Sequence, residues 1–265
     1  MRYLLTLENF KTLKDFPLPG YSKFYKTAFS LDDKEAIKKF EPIRKQLEKD
    51  CSKFIQEIKE TNSNIFWRGY GAYPDEDDVI KSKKVRKDRN PRDIETQIQE
   101  VFDFYFERHF GVKLRSSGVF TTKEFMAAET YGTPCLFFPK GDYEYYWSVD
   151  VRDLYSDFED SLLANYYINR RDSLLEEIFE DEWNDLNSDN YEVDKWIEEE
   201  WFNKKSLEAI EMFEDEVEFR VREYKKGKME KINDEEVIFI CDEYYIVNPN
   251  YLRFVLDMFG FQLNS

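Results

Sequence analysis

Histidine occurs once in this chain of 265 residues, as His109. Hydrolase triads and histidine-based zinc centres need that residue among suitably spaced partners, and no metal-ligand partner surrounds His109, so both classes are excluded. Cysteine is nearly as scarce. Cys51, Cys135 and Cys241 lie far apart with no paired spacing, which reads as free thiols in a reducing cytosol rather than a disulfide framework. Long apolar runs are missing: the opening MRYLLTLENF is too short for a signal peptide, and no segment approaches a membrane span. Positive charge is in short supply, with 39 Lys+Arg against 56 Asp+Glu and a net charge of −17. That balance disfavours broad attraction to a nucleic-acid backbone or an anionic membrane, so any anion site must be local. There is no repeat of fixed period and no low-complexity segment. The expectation is a cytoplasmic protein with no metal, no membrane partner and no broad nucleic-acid-binding surface.

Aromatic residues are plentiful instead. They make up 18% of the chain, with 24 Phe and 18 Tyr, too much apolar surface for a solvated tail. A chain of this length can bury a sizeable core, as one large domain or a domain with a helical appendage. Ser30 can cap a long helix interrupted at Pro42 and running to about Lys59, with Ile37, Phe40, Ile43, Leu47, Cys51, Phe54 and Ile58 on one face. Residues Ile65–Tyr70, IFWRGY, read as an apolar strand holding one arginine, Arg68. Then comes a loop that is acidic over Asp75–Asp78 and afterwards carries Lys81, Lys83, Lys84, Arg86, Lys87, Arg89 and Arg92. This basic cluster reads either as a local phosphate or substrate contact or as a solvated loop. Asn90 and Pro91 open a helix to about His109, and Gly111 ends it.

Gly118–Gly132, GVFTTKEFMAAETYG, joins a short strand, two hydroxyl residues and a helical turn. Thr121 and Thr122 either close the strand and cap the helix or present hydroxyls to a ligand. Cys135–Phe138 and Tyr143–Trp147 read as a hairpin about a Pro-Lys-Gly-Asp turn. Residues from Asp153 to about Phe202 turn acidic and helical, and Val217–Val221, Val237–Ile240 and Tyr244–Val247 read as further strands before a terminal helix at Tyr251–Phe259.

A charge inside or at the mouth of an apolar strand is costly unless it is paired or binds a ligand. Three features therefore form an ordered set: Arg68, the Thr121–Thr122 pair, and the acidic pair Asp234 and Glu236 that opens a later strand. On this order the chain resembles the ADP-ribosyltransferases of the arginine–serine–glutamate type. It also looks like a group of tailed-bacteriophage proteins that share VRKDRNPRD, RSSGVFTT, the Tyr-Gly pair and FFPKG-type segments.

The resemblance implies an α+β fold: a split mixed or antiparallel sheet of ADP-ribosyltransferase type with an N-terminal helix and a helical insertion. Residues 1–62 would form a helical segment packed on the core, and 63–265 the catalytic domain, interrupted by the acidic insertion at about 153–205. The implied activity is mono-ADP-ribosyl transfer, in which NAD is cleaved and ADP-ribose passes to a host protein or nucleic acid. Arg68, with Gly69 beside it, would hold the pyrophosphate and ribose side of NAD. Thr121 and Thr122 would orient the nicotinamide end, and Tyr131 would wall it. Glu236 would stabilise the charge that develops as nicotinamide leaves, with Asp234 two residues before it. Here Thr-Thr-Lys stands in place of the Ser-Thr-Ser strand. Asp234 replaces the Glu or Gln found there in the family, which leaves the acceptor open. The pair Glu214 and Glu216 before Val217 has the same spacing; Glu236 is preferred because a longer apolar strand follows it. A non-catalytic acidic protein that occupies a basic site on a host or virion partner, or an NAD glycohydrolase, are the alternatives.

Overall fold

A computed structural model describes residues 33–61, 63, 65–71, 79–87, 95–151, 154, 158, 161–187, 195–232 and 236–260. Among these residues the first half of the chain forms α1 (Asp33–Asp50), α2 (Ser52–Thr61), β1 (Trp67–Tyr70), β2 (Ile80–Lys84), α3 (Thr96–Phe110), α4 (Leu114–Ser117), β3 (Val119–Thr122) and α5 (Phe125–Thr130). There follow β4 (Thr133–Pro139), β5 (Glu144–Trp147), α6 (Leu162–Asn169), α7 (Asp172–Ile178), α8 (Glu180–Asn187), α9 (Lys195–Arg222), β6 (Lys225–Lys226), β7 (Glu236–Ile240), β8 (Glu243–Val247) and α10 (Leu252–Phe259). The chain is α+β and divides into two compact units, one built on the sheet and one helical.

The sheet unit comprises the described residues up to Val85, with Val119–Trp147 and those from Lys226 onward. Its strands lie in the order β2-β8-β4-β1-β3-β7-β5-β6, and the registered pairs are antiparallel. One junction is thin. β1 and β3 share the single register pair Trp67↔Thr122, whereas β1 pairs with β4 along its whole length. The sheet is also strongly curled. Three strand steps span about 14 Å in a flat sheet, yet Phe137 on β4 and Phe239 on β7 bring their ring centroids to 4.9 Å. Phe54 of α2 packs into the curl against Phe66, Phe138, Tyr143 and Phe239, with centroids 5.8–6.0 Å away. The aromatics of the sheet unit thus form an interlocked core, to which α1 adds Ala36, Phe40 and Leu47.

The expected hairpin is not formed: β4 pairs with β1 and β8, and β5 pairs with β7. The connecting turn is held by other elements, since Lys140 N–H donates to the Glu243 carbonyl and Gly141 N–H to that of Asp50, both at 2.9 Å. Pro42 lies inside α1, and the break falls at Cys51 instead. Pro42 and Lys38 are both exposed, so the carbonyl that the proline leaves unbonded faces water. The proposed Ser30 cap, the acidic stretch 75–78 and the Asn90–Pro91 cap lie outside the described residues. Lys81, Lys83 and Lys84, expected in a loop, belong to β2.

The helical unit comprises Arg86–Gly118 and Ser148–Lys225, so it is longer than the expected insertion and includes α3. Gly111 closes α3 with φ 74°, a left-handed conformation that glycine adopts at little cost. Asp103 then anchors the next turn: its carboxylate accepts from the Arg115 N–H at 2.8 Å and from the Ser116 N–H at 3.1 Å. Val217–Val221, expected as a strand, is helical in α9. Ala209, Phe213, Val217 and Val221 are fully buried while Phe219 is exposed, so burial follows every fourth residue rather than every second. Glu214 and Glu216 therefore open no strand.

Candidate functional site

The sheet parts where β1 continues past Trp67. Arg68 is half-buried there and its Nη1 donates to the Phe120 carbonyl at 2.8 Å. The guanidinium also lies over the Tyr244 ring of β8, 5.6 Å from its centroid. Among the described residues Arg68 makes no ion pair. One of its five N–H donors bonds a carbonyl. A half-buried cation without a counter-charge is costly unless a ligand supplies one.

Strand alternation sorts the expected site residues by face. Trp67, Thr122 and Glu236 are cross-strand partners, so they share one face. Arg68 and Thr121, each one residue out of step, share the other. Thr121 Oγ1 donates to the Val237 carbonyl at 3.0 Å and is buried. Thr122 Oγ1 accepts from the Glu124 N–H at 3.0 Å, which is the bland strand-ending role. Glu236 occupies the first position of β7 and is half-buried; Asp234 lies outside the described residues.

Gly69 serves close packing. A Cβ there would stand 2.5 Å from the Ala128 carbonyl oxygen and 2.6 Å from Tyr131 Cβ, so only glycine lets α5 lie against β1. Tyr131 follows α5 and is 60% exposed. Of the residues assigned by resemblance, Arg68, Gly69, Thr121, Thr122 and Glu236 stand on three adjacent strands, but Arg68 and Thr121 are on one face while Gly69, Thr122 and Glu236 are on the other.

Other residues join Arg68 on its face. Lys83 Nζ donates to the Tyr70 hydroxyl at 2.6 Å and lies 4.7 Å from that ring's centroid. Lys83 is also the cross-strand partner of Tyr244. Lys81 and Lys83 are half-buried, whereas Ser82 and Lys84 are exposed. Buried beneath are two thiols. Cys135, register partner of Arg68, is pushed up to about 12 by burial, against the pull of Lys81. Cys241 is pushed up to about 12 by burial and by Asp242, with Arg68 opposing. Neither ionises near neutrality, so neither is a nucleophile.

Tyr70 and Tyr244 were missed as site candidates, and Lys83 was read only as one of a basic cluster, either a phosphate or substrate contact or a solvated loop. The available signal was the alternation in Ile-Lys-Ser-Lys-Lys, which marks a strand with lysines on its inner face. Among the described residues no group of three His, Cys, Asp or Glu side chains can hold a metal ion, and no helix is long and apolar enough to cross a membrane. Comparison with protein-family models, with curated proteins and with solved structures finds no match.

Proposed function

We propose that the chain binds NAD at the parting of its sheet and acts as a mono-ADP-ribosyltransferase on a host macromolecule. The observation that carries the reading is Arg68: half-buried, without a carboxylate among the described residues, and set where β1 and β3 diverge. A planar guanidinium with free donors suits a pyrophosphate. In the reaction the bond between the nicotinamide nitrogen and ribose C1′ breaks, and its electron pair goes to nicotinamide. The acceptor nucleophile bonds to C1′ and loses its proton to solvent. Glu236, aided by Asp234, would stabilise the cationic ribose through its charge. Thr121, Thr122 and Tyr131 would border the nicotinamide end, and Gly69 would let the chain pass close by.

Because Arg68 and Glu236 lie on opposite faces by alternation, the reading requires NAD to reach Glu236 round the end of the sheet, where β7 begins. Binding and transfer are therefore tested separately. Arg68→Lys should weaken NAD binding about tenfold in calorimetry, since lysine cannot make the bidentate contact. Incubation with labelled NAD and host lysate should label an acceptor with the native protein and not with Glu236→Gln. Equal labelling by both removes Glu236 from catalysis. Release of nicotinamide without labelling marks an NAD glycohydrolase.

A second reading has its own support. The segment Ser148–Lys225 holds 25 Asp+Glu against 9 Lys+Arg, so nearly the whole negative charge belongs to the helical unit. A non-catalytic protein that occupies a basic site on a host or virion partner would use such a surface. Failure of the native protein either to bind NAD or to release nicotinamide favours it.

A further inference from the structure

We infer that Lys83, held by Tyr70, is a second cationic pole of the Arg68 site, and that together they bind a ligand with two linked anionic groups of pyrophosphate type. The inference deepens the NAD reading, because it rests on the same Arg68, and it names residues that the resemblance does not supply.

Three strands bring the parts together. β1 contributes Arg68 and Tyr70, two residues apart and so on one face. β8 contributes Tyr244, which lies under the Arg68 guanidinium and directly opposite Lys83. β2 contributes Lys83, whose ammonium is bonded to the Tyr70 hydroxyl at 2.6 Å. Two cations therefore flank two tyrosine rings. Neither Arg68 nor Lys83 makes an ion pair among the described residues.

Like charges gathered on one face repel one another and gain from an anion placed between them. The Tyr70 bond fixes the lysine head in advance, which reduces the ordering cost when a ligand arrives. Lysines on an edge strand also serve to discourage pairing with other chains. Exposed Lys84 answers to that purpose; Lys83 is half-buried and turned onto an aromatic ring.

The test uses the full chain and inorganic pyrophosphate, followed by calorimetry, with NAD titrated in parallel. The native protein should bind pyrophosphate. Lys83→Met, which keeps the length of the side chain, should weaken binding about tenfold or more, as expected for loss of a charge-assisted contact. Tyr70→Phe should weaken it less. Lys84→Met, on the opposite face of the same strand, should leave it unchanged. Circular dichroism and urea unfolding of each variant separate loss of binding from loss of fold. Absence of pyrophosphate binding by the native protein, or equal affinity in a folded Lys83→Met, overturns the inference. Pyrophosphate bound through Lys83 without NAD binding supports the anion site and ends the NAD reading. NAD bound equally by the native protein and Lys83→Met does the reverse.

Discussion

At the scale of single residues the chain's three thiols prove inert. Cys51, Cys135 and Cys241 are all buried, and burial is the largest cause of the rise of each thiol to about 12. An unfolded thiol ionises near pH 8.5. A group whose folded pKa is raised contributes its full stability below the unfolded pKa and loses it as pH climbs towards the folded one. The folded protein should therefore lose stability as the pH rises above about 8.5. Urea unfolding at pH 7.5 and pH 9.5 measures this. Cys135→Ala should make the fall shallower, and an unchanged slope would show that the thiol plays no part. Reading these cysteines as free thiols rested on spacing alone; their depth in the core follows from the strands on either side.

At the scale of elements, one carboxylate ties α2 to the sheet. Glu57 accepts from the Tyr145 hydroxyl at 2.6 Å and from that of Tyr143, and both tyrosines are buried. The two bonds go to a charged acceptor, and its removal leaves two phenols unsatisfied. Glu57→Ala should destabilise the protein by roughly 2–4 kcal/mol, read as a lower urea midpoint; a change under about 0.5 kcal/mol would show that the tyrosines find water instead. Elements marked by a local pattern were legible in the sequence: the helix face Phe40–Leu47–Phe54, the apolar run Val237–Ile240, the turn at Gly111. What escaped was set by distant partners. The residues Cys135–Trp147 have hairpin composition, but their turn is bonded to α1 and β8, and no local pattern encodes that choice. Val217–Phe219–Val221 alternates like a strand because Phe219 is an exposed aromatic on a helix. In the candidate site, Arg68 was legible as a charge that interrupts an apolar strand. Lys83 was legible only as one of a basic cluster, because its inward face depends on register with β8.

At the scale of the molecule, charge is divided between the two units. With 25 acidic against 9 basic residues in Ser148–Lys225, the helices α6–α9 carry a field of one sign that works against their own compactness. Their interior answers it locally. Buried Lys205 of α9 donates to Glu182 and Glu208 at 2.8 Å and lies 4.3 Å from the Phe179 ring centroid, so one cation joins α8 to α9. Such contacts are short-range, while the repulsion among the remaining carboxylates extends over the Debye length of about 30 Å at 0.01 M salt and contracts to about 8 Å at 0.15 M. Added salt should therefore strengthen the helical unit and leave the sheet unit, with its mixed charge, nearly unchanged. Hydrogen exchange at both ionic strengths reads the two units separately. Amides of α7 and α9 should gain protection with salt while those of β3 and β7 do not. Loss of protection in α9 would mean that ion pairs such as Glu218 with Arg222, at 2.6 Å, outweigh the repulsion, and that the acidic unit is held together by its charges.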